Sequence, residues 1–122
     1  MRVRGIRGAT TVERNQREAI VGATTELLLK MVELNGIEID EIASAFFSTS
    51  PDLNAEFPAV AAREQLGWNS VALLCSHEMG VPGSLPMCLR VLLHVNTEKR
   101  ADEVTHVYMR GARALRRDLA LS

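Results

Sequence analysis

The chain has 122 residues, of which 47% are apolar and 24% charged, and its formal net charge is −1. This length favours one compact domain, and the balanced charge excludes the strongly basic footprint of a nucleic-acid-binding protein. Only 4% of the residues are aromatic, so the core must be mostly aliphatic. The sequence shows no N-terminal leader in which an apolar segment follows charged residues, and no apolar run that could cross a membrane. We therefore predict a cytoplasmic protein in which Cys75 and Cys88 are reduced.

The positive charge is carried almost entirely by arginine. Of the 14 lysines and arginines, two are lysines (Lys30 and Lys99) and the other twelve are arginines. Codon bias or thermal adaptation would produce this ratio, and so would selection of guanidinium groups for planar, bidentate binding of carboxylates. Composition does not distinguish these explanations, so the positions of the arginines must be considered.

The first predicted element is a strand at residues 2–7, RVRGIR. Alternation along a strand places Val3, Gly5 and Arg7 on one face. Gly5 leaves room beside Arg7, and a guanidinium that faces an apolar, roomy surface needs an anionic partner. The sequence therefore raises the question of which anion pairs with Arg7.

A long amphipathic helix follows. Asn15, with Glu18 three residues later, resembles a capping box, and Asn35-Gly36 predicts the end of the helix. Apolar residues recur between these points at helical spacing, namely Ile20, Ala23, Leu27, Met31 and Leu34. We interpret this helix as a packing element.

Two more strands and a second helix are predicted next. Residues 42–49, IASAFFST, form a short apolar strand that ends at the turn Ser50-Pro51-Asp52. Pro58 is well placed in the first turn of a helix that runs to Gly67. Residues 70–76, SVALLCS, predict the third strand.

The last part of the chain is predicted to be mainly extended. Glycines and prolines make residues 78–86 a loop, and residues 87–96, MCLRVLLHVN, form a fourth strand. A short turn at residues 101–103 leads to a fifth strand, THVYMRG, at residues 105–111. The tail at residues 114–122 is predicted to be less ordered.

The element order β-α-β-α-β-β-β predicts an α+β fold, with a mixed sheet of about five strands and two helices on one face. Several strands are apolar on both faces, so the second face of the sheet also needs cover. We expect that face to be a subunit interface.

Arg7 and Arg90 are cations placed within apolar strands. Arg90 shares a strand face with Cys88 and His94. One interpretation is a buried ion pair in which Glu78 is the acceptor. The other is a polar pocket in an aliphatic wall, where an excess of guanidinium suits a small ligand that carries carboxylates.

Four other side chains have more than one interpretation. Glu78 fits a general base, an ion-pair partner or an acceptor for a ligand hydroxyl. Cys75 is a candidate nucleophile, although no histidine is placed to activate it. Tyr108 is either a core residue or a hydroxyl donor at the edge of a site, and Phe57 is more often a packing residue than a ligand contact.

A metal site is not predicted. Cys75, His77, Cys88 and His94 are of the types that bind zinc, but their spacing matches no paired-ligand pattern. From the residues alone, the prediction is a small oligomeric α+β protein with an arginine-rich anion pocket, and no reaction is named.

The segment RGIRGATTVERN resembles the opening of the AroH-class chorismate mutases, which are small and trimeric. The similarity extends from about residue 2 to residue 119 and continues through STSPDLNAEFPAVAARE, LLCSHEMGVPGSLPMCLRV and THVYMRGARALRRDL. The ordered combination of RGATTVE, SPDL, C-x-x-EM and an arginine in the following strand makes the resemblance specific.

This resemblance implies an enzyme that rearranges chorismate to prephenate, a Claisen reaction on the route to phenylalanine and tyrosine. It implies a homotrimer with three active sites, each formed between neighbouring subunits, and sheets that pack inward as a barrel-like core. The implied partner is chorismate, a small dicarboxylate. No cofactor, metal, nucleic acid or membrane is implied.

The resemblance also implies roles for the cations. Arg90 would donate a hydrogen bond to the ether oxygen of the breaking C–O bond. Arg7 would bind a substrate carboxylate, as would Tyr108 and, more loosely, Arg63 and Arg116. The anionic partner of Arg7 would then be the substrate.

The remaining implied contacts surround the ring of the substrate. Glu78 and Cys75 would contact its hydroxyl, while Phe57 and Leu115 would flank its apolar parts. Arg90, Glu78 and Arg7 are thus the implied catalytic residues.

Two positions depart from the family pattern. Val60 stands where some members carry a lysine near the pocket mouth, and Leu74 stands where some carry threonine. Both changes concern peripheral contacts.

Two other functions fit the same residues. A carboxylate-binding isomerase or lyase would use Glu78 as a base and exchange a substrate proton with solvent. A non-catalytic trimeric module would bind a dicarboxylate without turnover.

Overall fold

Five strands form one mixed sheet in the computed structural model, which describes residues 1–116. The order of the strands across the sheet is β3-β2-β4-β1-β5. Their bounds are β1 Arg2–Thr11, β2 Ile42–Thr49, β3 Ala72–His77, β4 Cys88–Thr97 and β5 Val107–Tyr108. The predicted α+β fold with a five-stranded mixed sheet is confirmed.

The central strand, β4, is antiparallel to both of its neighbours, while β3 and β5 run parallel to the strands beside them. In this register Arg90 lies opposite Ala9 of β1 and Ser48 of β2, and Arg7 lies opposite Leu92. Paired residues share a face of the sheet. Arg7 and Arg90 therefore project from the same face, although they are far apart along the chain.

Two helices cover the other face. They are α1, Arg17–Asn35, and α2, Ala61–Gln65, which is a short segment with π-type turns. The core lies between these helices and the sheet, and its largest fully buried side chains include Trp68, Phe47, Ile6, Leu27, Leu28, Met31, Leu89 and Leu93. This core is mostly aliphatic, as the composition predicts.

The α1 side chains pack directly over Gly8 of β1. A Cβ atom there would lie 3.2 Å from Leu27 Cδ1 and 2.9 Å from Met31 Cε. Because both side chains are fully buried, a larger residue at this position would displace the helix from the sheet.

The beginning of α1 differs from the prediction. No side chain caps the helix, which starts at Arg17. The Asn15 side chain instead accepts hydrogen bonds from the backbone N–H groups of Asn54 and Ala55, both at 3.0 Å. The predicted capping box is wrong because Asn15 fastens a distant loop. The predicted end is confirmed, since Gly36 adopts φ +59°.

The last strand is shorter than predicted. It contains only Val107–Tyr108, whereas residues 105–111 were expected to be extended. Arg110 has φ +52°, and Arg110–Leu115 form 3-10 turns. Gly111 donates its N–H to Thr11 Oγ1 at 3.1 Å, which holds these turns against the end of β1. The prediction for the tail beyond residue 116 lies outside the described residues.

Neither α1 nor α2 covers the face that carries Arg7 and Arg90. Among residues 1–116, the 3-10 turns Arg110–Leu115 pack on part of that face, where Ala112 meets Ala9 and Tyr108. Val3, Phe46 and Leu74 are 57%, 44% and 56% exposed there. Exposed apolar side chains on one side of a sheet are typical of an interaction surface, so the predicted subunit interface remains a prediction for this face. Within residues 1–116, no helix has the length and apolar character needed to span a membrane.

Candidate active site

Four residues that the sequence singled out meet in one open pocket on the uncovered face. They are Arg7, Glu78, Arg90 and Tyr108. We call this cavity, which has a volume of about 260 Å³, the arginine pocket. The rest of its lining is Gly8, Ala9, Phe46, Ser48, Val91 and Leu92. Two cations and one carboxylate thus face an otherwise small and mainly apolar cavity.

Arg90 contacts Glu78 at the edge of this pocket. Its Nε lies 3.6 Å from Glu78 Oε2, and the same oxygen accepts a hydrogen bond from Ser48 Oγ at 3.4 Å. The two ionic side chains are 45% and 43% exposed, so the interpretation as a buried ion pair is wrong. A guanidinium has five N–H donors, and one contact to Glu78 leaves most of them for a ligand.

The strand that carries Arg90 is held at its first residues by the SPDL motif. The Asp52 carboxylate accepts the Met87 N–H at 2.9 and 3.2 Å, and Ser50 Oγ accepts the Cys88 N–H at 2.9 Å. Met87 adopts φ +51°, a conformation that needs such support. Hydrogen bonds from the Ser50 hydroxyl and then from the Met87 amide lower the pKa of Asp52.

Tyr108 is a core residue that also borders the arginine pocket, and its role as a hydroxyl donor stays a prediction. It is 4% exposed and packs with Ala9 and Ala112, yet it also lines the arginine pocket. Leu115 is partly buried against the same cluster. The 3-10 turns after β5 therefore bring Leu115 against the cluster that contains Tyr108, although Leu115 does not itself line the pocket.

Arg7 is exposed, contrary to the idea of a cation enclosed in an apolar strand, because its face of the sheet is uncovered. Its backbone N–H donates to His106 Nδ1 at 3.0 Å. Burial lowers the pKa of His106, and the positive charges of Arg7 and Arg116 lower it further. Arg116 therefore acts on the same region as Arg7.

Phe57 and Cys75 do not join the arginine pocket within one chain. They line a second cavity of about 340 Å³, which we call the thiol pocket. Cys75 pairs with Phe47, which is fully buried under the helices, whereas Arg90 pairs with Ser48 on the uncovered face. The rest of the thiol pocket is formed by Thr49, Leu53, Asn54, Ala55, Glu56, Pro58, Ser76 and His77.

The two cysteines are free thiols. Burial raises the pKa of Cys75, although a backbone hydrogen bond from Ala59 and the charge of Arg63 act in the opposite direction. Burial also raises the pKa of Cys88, against the effect of Arg90. A nucleophile needs a lowered pKa, so neither thiol is activated. Residues 1–116 contain no cluster of three or more histidine, cysteine or acidic side chains that could share a metal ion.

Comparison with known proteins identifies the family. A family model described as chorismate mutase type I matches residues 3–119. The chain belongs to the type I chorismate mutase family.

Individual chorismate mutases match over nearly the whole chain. A relative named chorismate mutase AroH from Thermus thermophilus is 54% identical and covers 96% of each chain. The protein of the same name from Bacillus subtilis strain 168 is 44% identical over 100% of this chain and 96% of its own. A solved structure, chorismate mutase from Clostridium thermocellum, superimposes with a TM-score of 0.88 at 51% identity, covering 90% of this chain and 97% of the other.

Sequence reasoning on this chorismate mutase assigned no role at the candidate site to Ser48, Asp52 or His106. Ser48 donates to Glu78, Asp52 accepts the Met87 N–H at the start of β4, and His106 accepts the backbone N–H of Arg7. Strand alternation would have placed Ser48 on the face of Phe46. No local pattern shows what Asp52 and His106 bind, because their partners lie 35 and 99 residues away.

Val60, one of the two departures from the family pattern, is a packing residue. It is 5% exposed and clusters with Val21 of α1 and with Ala61. Leu74, the other departure, is 56% exposed on the uncovered face.

Proposed function

We propose that this chorismate mutase rearranges chorismate to prephenate in a site that two neighbouring subunits of a homotrimer build together. The observation that carries the proposal is the convergence of Arg7, Glu78, Arg90 and Tyr108 in one open pocket. Paired guanidinium groups in a small cavity suit a compact dicarboxylate. The reaction is a step of aromatic amino acid biosynthesis, and we place the enzyme in the cytoplasm.

The separation of the two pockets supports a shared site. Phe57 and Cys75 lie in the thiol pocket, away from Arg90. In a cyclic trimer, the arginine pocket of one subunit faces a different surface of the next. The thiol pocket of that neighbour would then complete the site, and the exposed Phe46 and Leu74 would be buried in the assembly.

The first contribution to catalysis is conformational. Chorismate rearranges without a catalyst when its two reacting carbons come close together, so an enzyme gains rate by holding that compact conformer. Arg7 and Tyr108 would bind one carboxylate, with Arg63 and Arg116 giving looser charge contacts. Phe57 and Leu115 would form the apolar walls.

The second contribution is electrostatic. As the C–O bond breaks ahead of C–C bond formation, the ether oxygen gains negative charge. The Arg90 guanidinium, held on the central strand, would interact more strongly with that oxygen in the transition state than in the ground state. The contact with Glu78 orients Arg90, and no cofactor takes part in this scheme.

Glu78 and Cys75 would bind the ring hydroxyl of the substrate. The raised pKa of Cys75 keeps its thiol protonated at neutral pH, so it can act as a donor. The rearrangement moves no proton to or from solvent, and Glu78 therefore positions the ring without acting as a base.

The test is to follow the loss of chorismate absorbance with the purified protein and to identify prephenate by NMR. We expect saturable conversion with no added metal or cofactor. Saturable binding of chorismate without conversion would instead favour the binding module. Incorporation of solvent deuterium into the product would favour an isomerase or lyase that uses Glu78 as a base.

A further inference from the structure

The segment just before β5 is anchored to the end of α1 by the Asn35 side chain. Asn35 is 3% exposed, and its Oδ1 accepts the Thr105 N–H at 2.7 Å. Its Nδ2 donates to the Thr105 carbonyl at 2.9 Å and to the Met31 carbonyl at 2.8 Å. Both polar groups of the Thr105 backbone are therefore bound by one buried amide, which fixes the direction of the following residue, His106.

Because Asn35 binds the Thr105 backbone, β5 pairs with only part of the neighbouring edge of β1. The pairing with β5 begins where Gly8 meets Val107, and the carbonyl of Ala9 accepts the Met109 N–H at 2.9 Å. The N–H of Arg7 faces the same edge two residues earlier. A longer β5 would offer it the Thr105 carbonyl, but that group is bonded to Asn35, and His106 Nδ1 accepts the Arg7 N–H instead.

We propose that His106 is a positioning residue that holds Arg7 in the direction required to bind a carboxylate of the substrate. The proposal rests on the proposed role of Arg7 in chorismate binding. Its basis is geometric, since a hydrogen bond to the backbone N–H fixes the strand edge at residue 7. That edge in turn sets the direction of the Arg7 side chain into the arginine pocket.

The role requires a neutral imidazole. A backbone N–H can only donate, so Nδ1 must carry no proton, and a doubly protonated ring has no acceptor. The charges that act on the ring come from Arg7 on β1 and Arg116 after the 3-10 turns, and both are positive. Burial, and then these two charges, lowers the pKa of His106 below its ordinary value of 6.5, so the neutral ring predominates at pH 7.

Protonation of His106 at low pH breaks its hydrogen bond to the Arg7 N–H. Below the folded-state pKa, the protonated ring loses the hydrogen bond to Arg7 and places a third cation beside Arg7 and Arg116. Carboxylate binding then weakens because Arg7 is no longer held. This weakening of carboxylate binding is expected only at a pH below the ordinary pKa of histidine.

The test compares His106→Asn with His106→Leu in the full-length enzyme, using chorismate as the substrate. Asparagine places an acceptor oxygen as far along the side chain as Nδ1 and does not titrate, whereas leucine removes the acceptor. At pH 7.5 we expect KM to rise about tenfold in His106→Leu, the size of one net hydrogen bond, with kcat within about threefold. In His106→Asn we expect KM within about twofold of wild type.

The pH profile is the second measurement. As the pH falls below 6.5, the ordinary pKa of histidine, wild-type KM should rise, and the His106→Asn profile should lack that rise. Any of three results would overturn the proposal. They are a KM in His106→Leu equal to that of wild type, a KM that rises equally in both variants, and a KM that rises at low pH in His106→Asn as it does in wild type. A purely structural role would lower kcat and thermal stability and leave KM unchanged. Absence of wild-type turnover would count against the proposed function itself.

Discussion

Arg90 and Glu78 form an open ion pair, with Nε 3.6 Å from Oε2 and both side chains more than two-fifths exposed. An exposed pair of this kind stabilises a protein by only about 0–1 kcal/mol. Folding stability therefore does not explain an arginine in the middle of the central strand. The proposed role of Arg90, which is to direct its guanidinium toward the substrate, would explain that position.

Replacing Arg90 should remove most of the catalysis and leave the fold intact. We expect Arg90→Ala to lower kcat at least about a hundredfold, since the loss of one donor to a developing oxyanion costs roughly 3–4 kcal/mol. Arg90→Lys should recover little because an ammonium lacks the planar fork. Arg100→Ala, which removes a more exposed arginine, is the matched control. Near-normal turnover in Arg90→Ala would refute the assignment.

Two inactive variants should restore activity when they assemble together. Arg90→Ala removes the cation of the arginine pocket, and Phe57→Asp puts a carboxylate in the thiol pocket at a side chain that is 67% exposed. Arg90→Ala keeps an intact thiol pocket, and Phe57→Asp keeps an intact arginine pocket. In each trimer that contains both variants, one of the three interfaces joins these two intact pockets. Random mixing at equal amounts should therefore give about a quarter of the number of active sites in the wild type.

The mixing experiment also tests the assembly. Co-refolded variants are compared with each variant carried through the same procedure alone, and the mass is measured by analytical ultracentrifugation. A monomer at micromolar concentration, or a mixture no more active than its components, would argue against shared sites.

Turnover should show almost no solvent deuterium isotope effect. The proposed rearrangement transfers no proton, so kcat in D₂O should stay close to kcat in H₂O once the pD is matched. Glu78→Gln should lower the rate without changing this ratio. A large isotope effect that disappears in Glu78→Gln would identify Glu78 as a general base.

Gly8→Ala should destabilise the protein by about 1–3 kcal/mol through overpacking. The new methyl group would press on Met31 and Leu27, which are fully buried beneath α1. Gly22→Ala, on α1, is the matched control because its new methyl group would meet no atom within 4 Å, and alanine favours a helix. Urea denaturation measures both, and equal midpoints for the two variants would contradict the packing argument.

Asp52→Asn should lower stability at neutral pH and lose that effect in acid. The folded-state pKa of Asp52 lies below its ordinary value of 3.8, because the Ser50 hydroxyl and the Met87 amide bind the ionised form. Its stabilisation is therefore present above that ordinary value and disappears as pH falls through the folded-state pKa. Urea midpoints at pH 7 and pH 3 test this, and a difference that persists unchanged at pH 3 would contradict it.

Local patterns predicted the elements well where one periodicity dominated. The helix that ends at Asn35-Gly36 and the strands at residues 42–49 and 87–96 follow directly from the spacing of apolar residues. Predictions that relied on a single side chain were less successful. Asn15 has the chemistry of a helix cap, yet a distant loop competes for its oxygen. β5 begins only at Val107, because Asn35 binds the Thr105 backbone that would otherwise extend the strand.

By itself, the sequence determined the class of fold, the strand positions of Arg7 and Arg90, and the family to which the chain is similar, because these depend on residue types and on their spacing along the chain. Only the tertiary structure decided which residues meet. The register of β4 between β1 and β2 brings Arg90 beside Ala9 and Ser48, and the alternation of β3 turns Cys75 to the opposite face. Register depends on packing between distant segments, and no local pattern contains that information.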